Sequence, residues 1–269
     1  MTIFEALWLG ILQGLTEFLP VSSSGHLVIA QAVAGIKNQG MAFEIYVHFG
    51  TLLSILVIFR NDLSEMLASI IRKLKSPGSI ISGYKDDKDY RLLILLLLAT
   101  IPAGVIGLLF KDFFEAAFSD VNFVGFALIL TGFILFVSKF AVNRNKDVDG
   151  KRALIIGFAQ AIAIFPGISR SGTSISAAML TGVSGEKAAR FSFLLAIPAI
   201  AGATLLQLLD VASSGPGNIS YTIAGVGVVS SFITGTIAIS LLMGVMRKGK
   251  MHYFAGYCIA VGLATIYFL

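Results

Sequence analysis

Apolar residues occupy this chain in long blocks separated by short polar stretches. Six blocks, about 43–60, 91–110, 121–139, 190–209, 220–245 and 252–269, are each long enough to cross a bilayer as a helix, which takes roughly 17–25 residues. Two further pairs of blocks are shorter. Residues 3–19 and 25–36 flank a break at Pro20–Ser24, and residues 153–165 and 172–182 flank a second proline-containing break. Arms this short fit a re-entrant hairpin, because a backbone break at membrane depth is tolerated where it lines a cavity. The pattern predicts an all-α polytopic membrane protein, with a single membrane domain over 1–269.

The two hairpins are copies of each other. Residues 10–25 align with 157–172 at an offset of 147 without a gap, and six of the sixteen positions are identical: Gly10/Gly157, Gln13/Gln160, Phe18/Phe165, Ser22/Ser169, Ser24/Ser171 and Gly25/Gly172. Each copy is followed by three spans, so the chain divides into repeats of about 1–140 and 150–269. Three is odd, so the second repeat is inverted relative to the first, and the tips of the hairpins are expected to meet near the middle of the membrane.

Charge sets the expected orientation. Connections on one side of the predicted spans carry 17 Lys/Arg (seven in 60–91, five in 139–152, two in 187–190, three in 247–250), while the other side carries Lys37 and Lys111. Cationic loops stay cytoplasmic, which places both termini and the first hairpin's entry on the extracytoplasmic side. Segment 76–90 reads as a flexible cytoplasmic loop. The low share of charged residues, 13% against 56% apolar, excludes an ordinary soluble domain. The net charge of +5 sits mostly in these connections, so it implies orientation and not nucleic-acid binding. The N-terminal block contains Glu5, Gln13 and Glu17 and lacks a basic start, unlike a cleavable signal peptide. Cys258 is the only cysteine, which excludes an internal disulfide and a cysteine metal site.

The chemistry concentrates at the breaks. Gln13 and Glu17 lie four apart, on one helical face, and a carboxylate inside an apolar segment is a functional candidate. Ser22, Ser23 and Ser24 precede a helix that opens with His26 in its first turn. The second break offers Ser169, Arg170, Ser171, Thr173 and Ser174. Two helix N-termini, hydroxyls and a guanidinium suit a multiply charged anion such as a diphosphate. Glu17 would repel phosphate unless it works as an acid/base or holds a divalent cation. Glu44 and His48, an i, i+4 pair, are candidates for a supporting shell. Serines and glycines in membrane helices also serve close packing, and Gly10-x-x-x-Gly14 fits that use. Where the copies differ, Glu17, Ser23 and His26 stand opposite Ile164, Arg170 and Thr173.

These motifs resemble a known family. Gln13-x-x-x-Glu17 running into Phe18-Leu19-Pro20-Val21-Ser22-Ser23-Ser24-Gly25-His26 is similar to the (E/Q)xxxE–FLPVSS(S/T)GH signature of the undecaprenyl-diphosphate phosphatase, or bacitracin-resistance, family. Pro166-Gly167-Ile168-Ser169-Arg170-Ser171 resembles its PGxSRSxxT signature, with Ser174 in place of the closing threonine and Thr173 just before it. Residues 191–198 resemble its FSFLLAIP stretch. The resemblance implies a membrane phosphatase that converts undecaprenyl diphosphate to the monophosphate for peptidoglycan synthesis, with bacitracin resistance as a consequence. It also implies Glu17, the serines, His26 and Arg170 as active-site residues, a supporting Mg2+ or Ca2+, and a location in the bacterial cytoplasmic membrane.

With that resemblance, Ser23 is the first candidate for nucleophile or phosphate ligand, with His26 as acid/base and Glu17, with Gln13, as activator or cation ligand. Water or His26 as nucleophile stays open, and so does assembly as a homodimer. The rival class is a lipid-phosphate flippase or transporter, which also uses inverted repeats with broken helices. A non-catalytic lipid-diphosphate receptor is a third.

Overall fold

Thr2 begins the first helix with a capping box. Its side chain accepts from the Glu5 N–H (3.2 Å), and the Glu5 carboxylate accepts from the Thr2 N–H (2.7 Å). The helix, α1 (Ile3–Phe18), ends where Pro20 cannot continue it. After the break, α2 (Ser23–Ala34) starts on the Ser22 cap and stops at Gly35, whose φ of +64° only glycine takes readily. The second hairpin repeats the plan with α9 (Gly150–Ile162) and α10 (Arg170–Leu180), the latter capped by Ser169. At about 1.5 Å per residue the four arms reach about 24, 18, 20 and 17 Å, each short of the roughly 30 Å hydrocarbon core. By length, none of the four would cross a bilayer alone.

This computed structural model describes residues 1–35, 40–75, 80–118, 120–214 and 220–269. The remaining helices are α3 (Gly40–Ile58), α4 (Arg60–Lys75), α5 (Ile80–Asp86), α6 (Lys88–Leu109), α7 (Lys111–Phe118), α8 (Val121–Val137), α11 (Gly185–Ser214), α12 (Tyr221–Arg247) and α13 (Phe254–Phe268). Among the described residues, five helices are long and apolar enough to cross alone, and α3 passes that test together with α4, which leaves it at 75°. Large apolar side chains such as Leu97, Ile101 and Val105 on α6 and Phe126, Leu130 and Phe133 on α8 point away from the protein. The protein is multi-pass, with those faces suited to lipid.

One expectation is corrected. Within segment 76–90, residues 80–86 form α5 and 88–90 begin α6, while 76–79 lie outside the described residues. The order has a local cause: Asp87 caps α6 by accepting from the Asp89 and Tyr90 N–H groups, and also accepts from Ser69 Oγ (2.8 Å) and Arg72 (3.1 Å) of α4.

The two halves pack reciprocally. α1 lies along α12, and its twin α9 lies along α6; α8 packs on α13, and α3 on α11. At the α8–α13 contact a Cβ on Gly125 would stand 3.0 Å from the Gly262 carbonyl oxygen, and one on Gly132 would stand 2.9 Å from that of Ala255. Both pairs are seven residues apart, so Gly125 corresponds to Ala255 and Gly132 to Gly262. This exchange is what inverted repeats related by a two-fold axis require. The Gly10 and Gly14 pair serves packing, since a Cβ at either would collide with α12 near Ser230 and Thr234.

Candidate active site

The hairpin tips meet. A Cβ on Gly25 would lie 2.9 Å from the Gly167 Cα, and Ser171 Oγ donates to the Leu19 carbonyl at 3.2 Å. Thr131 of α8 clamps the second tip: its hydroxyl donates to the Gly167 carbonyl (2.8 Å) and accepts from the Ser169 N–H (3.0 Å). Nothing in the sequence singled Thr131 out, because a lone threonine in a span resembles any other.

Glu17, at the end of α1, is the hub. Its Oε2 accepts from Gln13 Nε2 (2.9 Å) and Ser23 Oγ (2.5 Å), and its Oε1 is paired with the Arg170 guanidinium. His48 Nε2 lies 3.9 Å from Oε2, its ring oriented by an Nδ1–H donated to the Glu44 carbonyl (2.8 Å). Both Glu17 and Gln13 are buried. Gln13, Glu17, Ser23, His48 and Arg170 are therefore brought to one point. Glu44 contributes its backbone, while its carboxylate accepts from Gln31 at 3.1 Å.

The other expected residues are placed differently. His26 turns from Glu17 to α13, where its Nε2 meets Tyr257 Oη at 2.8 Å while Nδ1 bonds the Ser22 carbonyl at 2.8 Å. Ser22 caps α2 through the Gly25 N–H and contacts Ser24 Oγ (3.3 Å); Ser169 caps α10 through the Gly172 N–H and contacts Ser171 Oγ (3.2 Å). Ser174 faces the protein core, bonded to the Arg170 carbonyl (2.7 Å) and Ser192 Oγ (2.6 Å). Thr173 is buried and its hydroxyl finds no protein partner.

The copies also differ in strain. Ser22 holds a φ of +69°, uncommon for a residue with a side chain, whereas its twin Ser169 is extended and the positive φ falls on Gly167 at +92°. Strain of this kind persists where surrounding structure holds it and clusters at functional sites. Gln160, the twin of Gln13, is buried with both amide atoms lacking a protein partner, since Ile164 stands where Glu17 would be.

A family model described as bacitracin resistance protein BacA matches residues 6–264. The chain belongs to the BacA family. Curated relatives run the full length of it. An undecaprenyl-diphosphatase of Halothermothrix orenii is 42% identical over 269 residues, covering 99% of this chain and 98% of that protein. One from Desulforapulum autotrophicum is 41% identical over 272 residues, again 99% and 98%. Undecaprenyl-diphosphatase 2 of Bacillus thuringiensis is 44% identical over 271 residues, with the same coverage. These BacA relatives carry names that describe a phosphatase, and the buried carboxylate with its serine and arginine is a site such chemistry can use.

The donor set does not form a resident metal site. Among the described residues there is no group of three or more His, Cys, Asp or Glu side chains placed to hold an ion. Glu17, the carboxylate expected to hold one, already accepts from Gln13, Ser23 and Arg170.

Proposed function

We propose that this protein hydrolyses undecaprenyl diphosphate to undecaprenyl phosphate and inorganic phosphate, recycling the lipid carrier for cell-wall synthesis, and that the reaction occurs at the Glu17–Arg170 junction. The single observation that carries the assignment is the buried Glu17 carboxylate, which receives a serine hydroxyl on one oxygen and a guanidinium on the other. The names of the full-length relatives supply the substrate.

Each group has a task that follows from its chemistry. Arg170 is the cation to which an incoming phosphoryl group is drawn, and a guanidinium binds phosphate bidentately. Its transfer from Glu17 Oε1 to phosphate leaves the carboxylate more basic, with Oε2 already accepting from Ser23. Glu17 then takes the Ser23 proton as the Ser23 oxygen bonds to the terminal phosphorus and the bridging oxygen leaves with undecaprenyl phosphate. Attack of water on the phosphoseryl group releases phosphate and restores the hydroxyl. The N–H groups at the starts of α2 and α10 support the charge that develops. His48 and His26 are the titratable groups that can move the remaining protons.

The positive loops support an opening of this site toward the extracytoplasmic side of the bacterial cytoplasmic membrane, where the spent diphosphate carrier would arise. The test is phosphate release from undecaprenyl diphosphate by the purified protein in detergent. Normal turnover by both Glu17→Gln and Arg170→Ala would overturn the assignment.

A further inference from the structure

His26 is held by two bonds of different kinds. The Ser22 carbonyl can only accept, so Nδ1 carries the proton there, and Nε2 is left as the acceptor of the Tyr257 hydroxyl (2.8 Å). The two rings are nearly parallel, with a 5° interplanar angle and centroids 5.6 Å apart. The Ser22 carbonyl thus fixes the tautomer, and Tyr257 holds the ring through Nε2.

The other side of Tyr257 faces a groove of about 480 Å3 between α1 and the start of α13, lined by Leu12, Leu15, Leu19, Val21 and Phe254 among others. That volume falls within the roughly 300–1,000 Å3 of small-molecule sites. The groove follows α1 to Leu19 and Val21 in the break that comes after Glu17 and Phe18, and its walls are mostly hydrocarbon.

The repeat shows that this opening is particular to one half. In the two-fold correspondence of α8 with α13, Tyr253 is matched by Phe123 and Tyr257 by Ala127. On that side Phe123 packs against Phe165 (5.6 Å), which in turn packs against Phe113 (5.7 Å) and Phe114 (4.8 Å) of α7. In the second half the place corresponding to α7 holds only the 3-10 turn Met251–Tyr253. The twin position is therefore filled with aromatic rings and lacks a hydroxyl, while the groove beside His26 is open.

We propose that Tyr257 is a positioning residue for His26, and that its ring forms the inner wall of a groove for the first isoprene units of the lipid diphosphate. One side chain would then touch both the chain of the substrate and the histidine of the site. The inference rests on the phosphatase reading above.

The experiment uses the full-length protein in detergent with undecaprenyl diphosphate and with farnesyl diphosphate, whose chain is much shorter. Tyr257→Phe keeps the ring and removes the hydroxyl, so kcat is expected to fall about tenfold on both substrates with little change in KM. With only three histidines in the chain, 15N spectra of the imidazoles should show the His26 Nε2 signal shift in that variant while the others stay. Leu15→Trp, which fills the groove without touching His26, should raise KM several-fold for both substrates, because farnesyl diphosphate also carries the first isoprene units, with little change in kcat. An unchanged kcat and unchanged imidazole spectrum in Tyr257→Phe would overturn the positioning role, and an unchanged KM for both substrates in Leu15→Trp would overturn the chain groove. Failure of the phosphatase reading looks different: the unaltered protein would release no phosphate from either substrate.

Discussion

Arg170 and Glu17 stand 153 residues apart in the chain and are joined as an ion pair between the tips of two inverted hairpins. The carboxylate is almost fully buried, and the guanidinium side chain is only 16% exposed. Removing one partner of such a pair leaves a buried charge uncompensated, a loss of about 3–5 kcal/mol, while replacing both with apolar groups is often neutral. Arg170→Ala is therefore expected to lower thermal stability in detergent, and Glu17→Leu combined with Arg170→Met to recover it. Activity should follow the opposite rule. Glu17→Gln should cost about 10²–10⁴ in phosphate release if the carboxylate is the general base, and the double variant should stay inactive however stable it is.

Gly167 takes the turn of the second break at φ +92°, and a Cβ there would stand 2.6 Å from the Val124 carbonyl oxygen and 2.7 Å from the Ala127 Cβ. A non-glycine residue in such a region costs about 1–3 kcal/mol even before the collision is counted. Gly167→Ala should lower the unfolding temperature and also displace Arg170 three residues on, so stability and turnover are expected to fall together. Ser22→Gly, which relieves the +69° φ of the first break, should leave stability unchanged or raised. A thermal-unfolding series in detergent compares the two.

How much of this was legible in the chain depends on whether the signal was local. The hairpins and spans were, because a bilayer imposes long apolar blocks and the breaks at Pro20 and Pro166 interrupt them. The meeting of Glu17 with Arg170 was legible too, since span counting inverts the second repeat and brings the tips together. Helices α4 and α5 were read as a connection, because their stabilising contacts pass through Asp87, a cap that looks like any loop aspartate. The partnership of His26 with Tyr257 joins residues 231 apart, and a tyrosine in an apolar span carries no mark of it. His48 came closer to Glu17 than its place in the sequence suggested, because α3 packs beside α1.

Asp87 links the polar connection to stability in a pH-dependent way. Its partial burial alone would raise its pKa, but hydrogen bonds from Ser69, the Tyr90 N–H, Arg72 and the Asp89 N–H outweigh that and hold it well below the usual carboxylate value. A group with a depressed folded pKa contributes stability above its unfolded pKa of about 3.9 and loses it as pH falls through the folded value. Asp87→Ala should therefore be less stable than the unaltered protein at neutral pH, with about 0.5–2 kcal/mol from the lost cap alone. The difference should narrow progressively below about pH 4. Thermal unfolding of both proteins between neutral and acidic pH measures it.

A divalent cation is expected from the family resemblance, yet the donor atoms around Glu17 are already committed to Gln13, Ser23 and Arg170. The protein alone should then bind Mg2+ or Ca2+ weakly. Millimolar additions of either ion are expected to leave the unfolding temperature of the substrate-free protein unchanged. A clear thermal shift by the cation alone would point instead to a resident site.

Gln13 and Gln160 are identical residues at matching places in the two repeats, and they should respond to substitution in opposite ways. Gln13 Nε2 donates to Glu17 at 2.9 Å, which helps hold the carboxylate where Ser23 and Arg170 meet it. Gln160 has Ile164 four residues on, and neither of its amide atoms finds a protein partner although the residue is 3% exposed. A buried polar group without a partner costs about 1–3 kcal/mol in lost hydration. Gln160→Leu removes that cost with little change in volume, so the variant is expected to unfold at a higher temperature and to keep its activity. Gln13→Leu should lower phosphate release and gain no stability, because it removes a bond to a buried carboxylate. Measuring unfolding temperature and turnover for the two variants side by side decides the matter: a loss of activity in Gln160→Leu would mean that the second hairpin carries chemistry of its own, and an unaffected Gln13→Leu would take the glutamine out of the site.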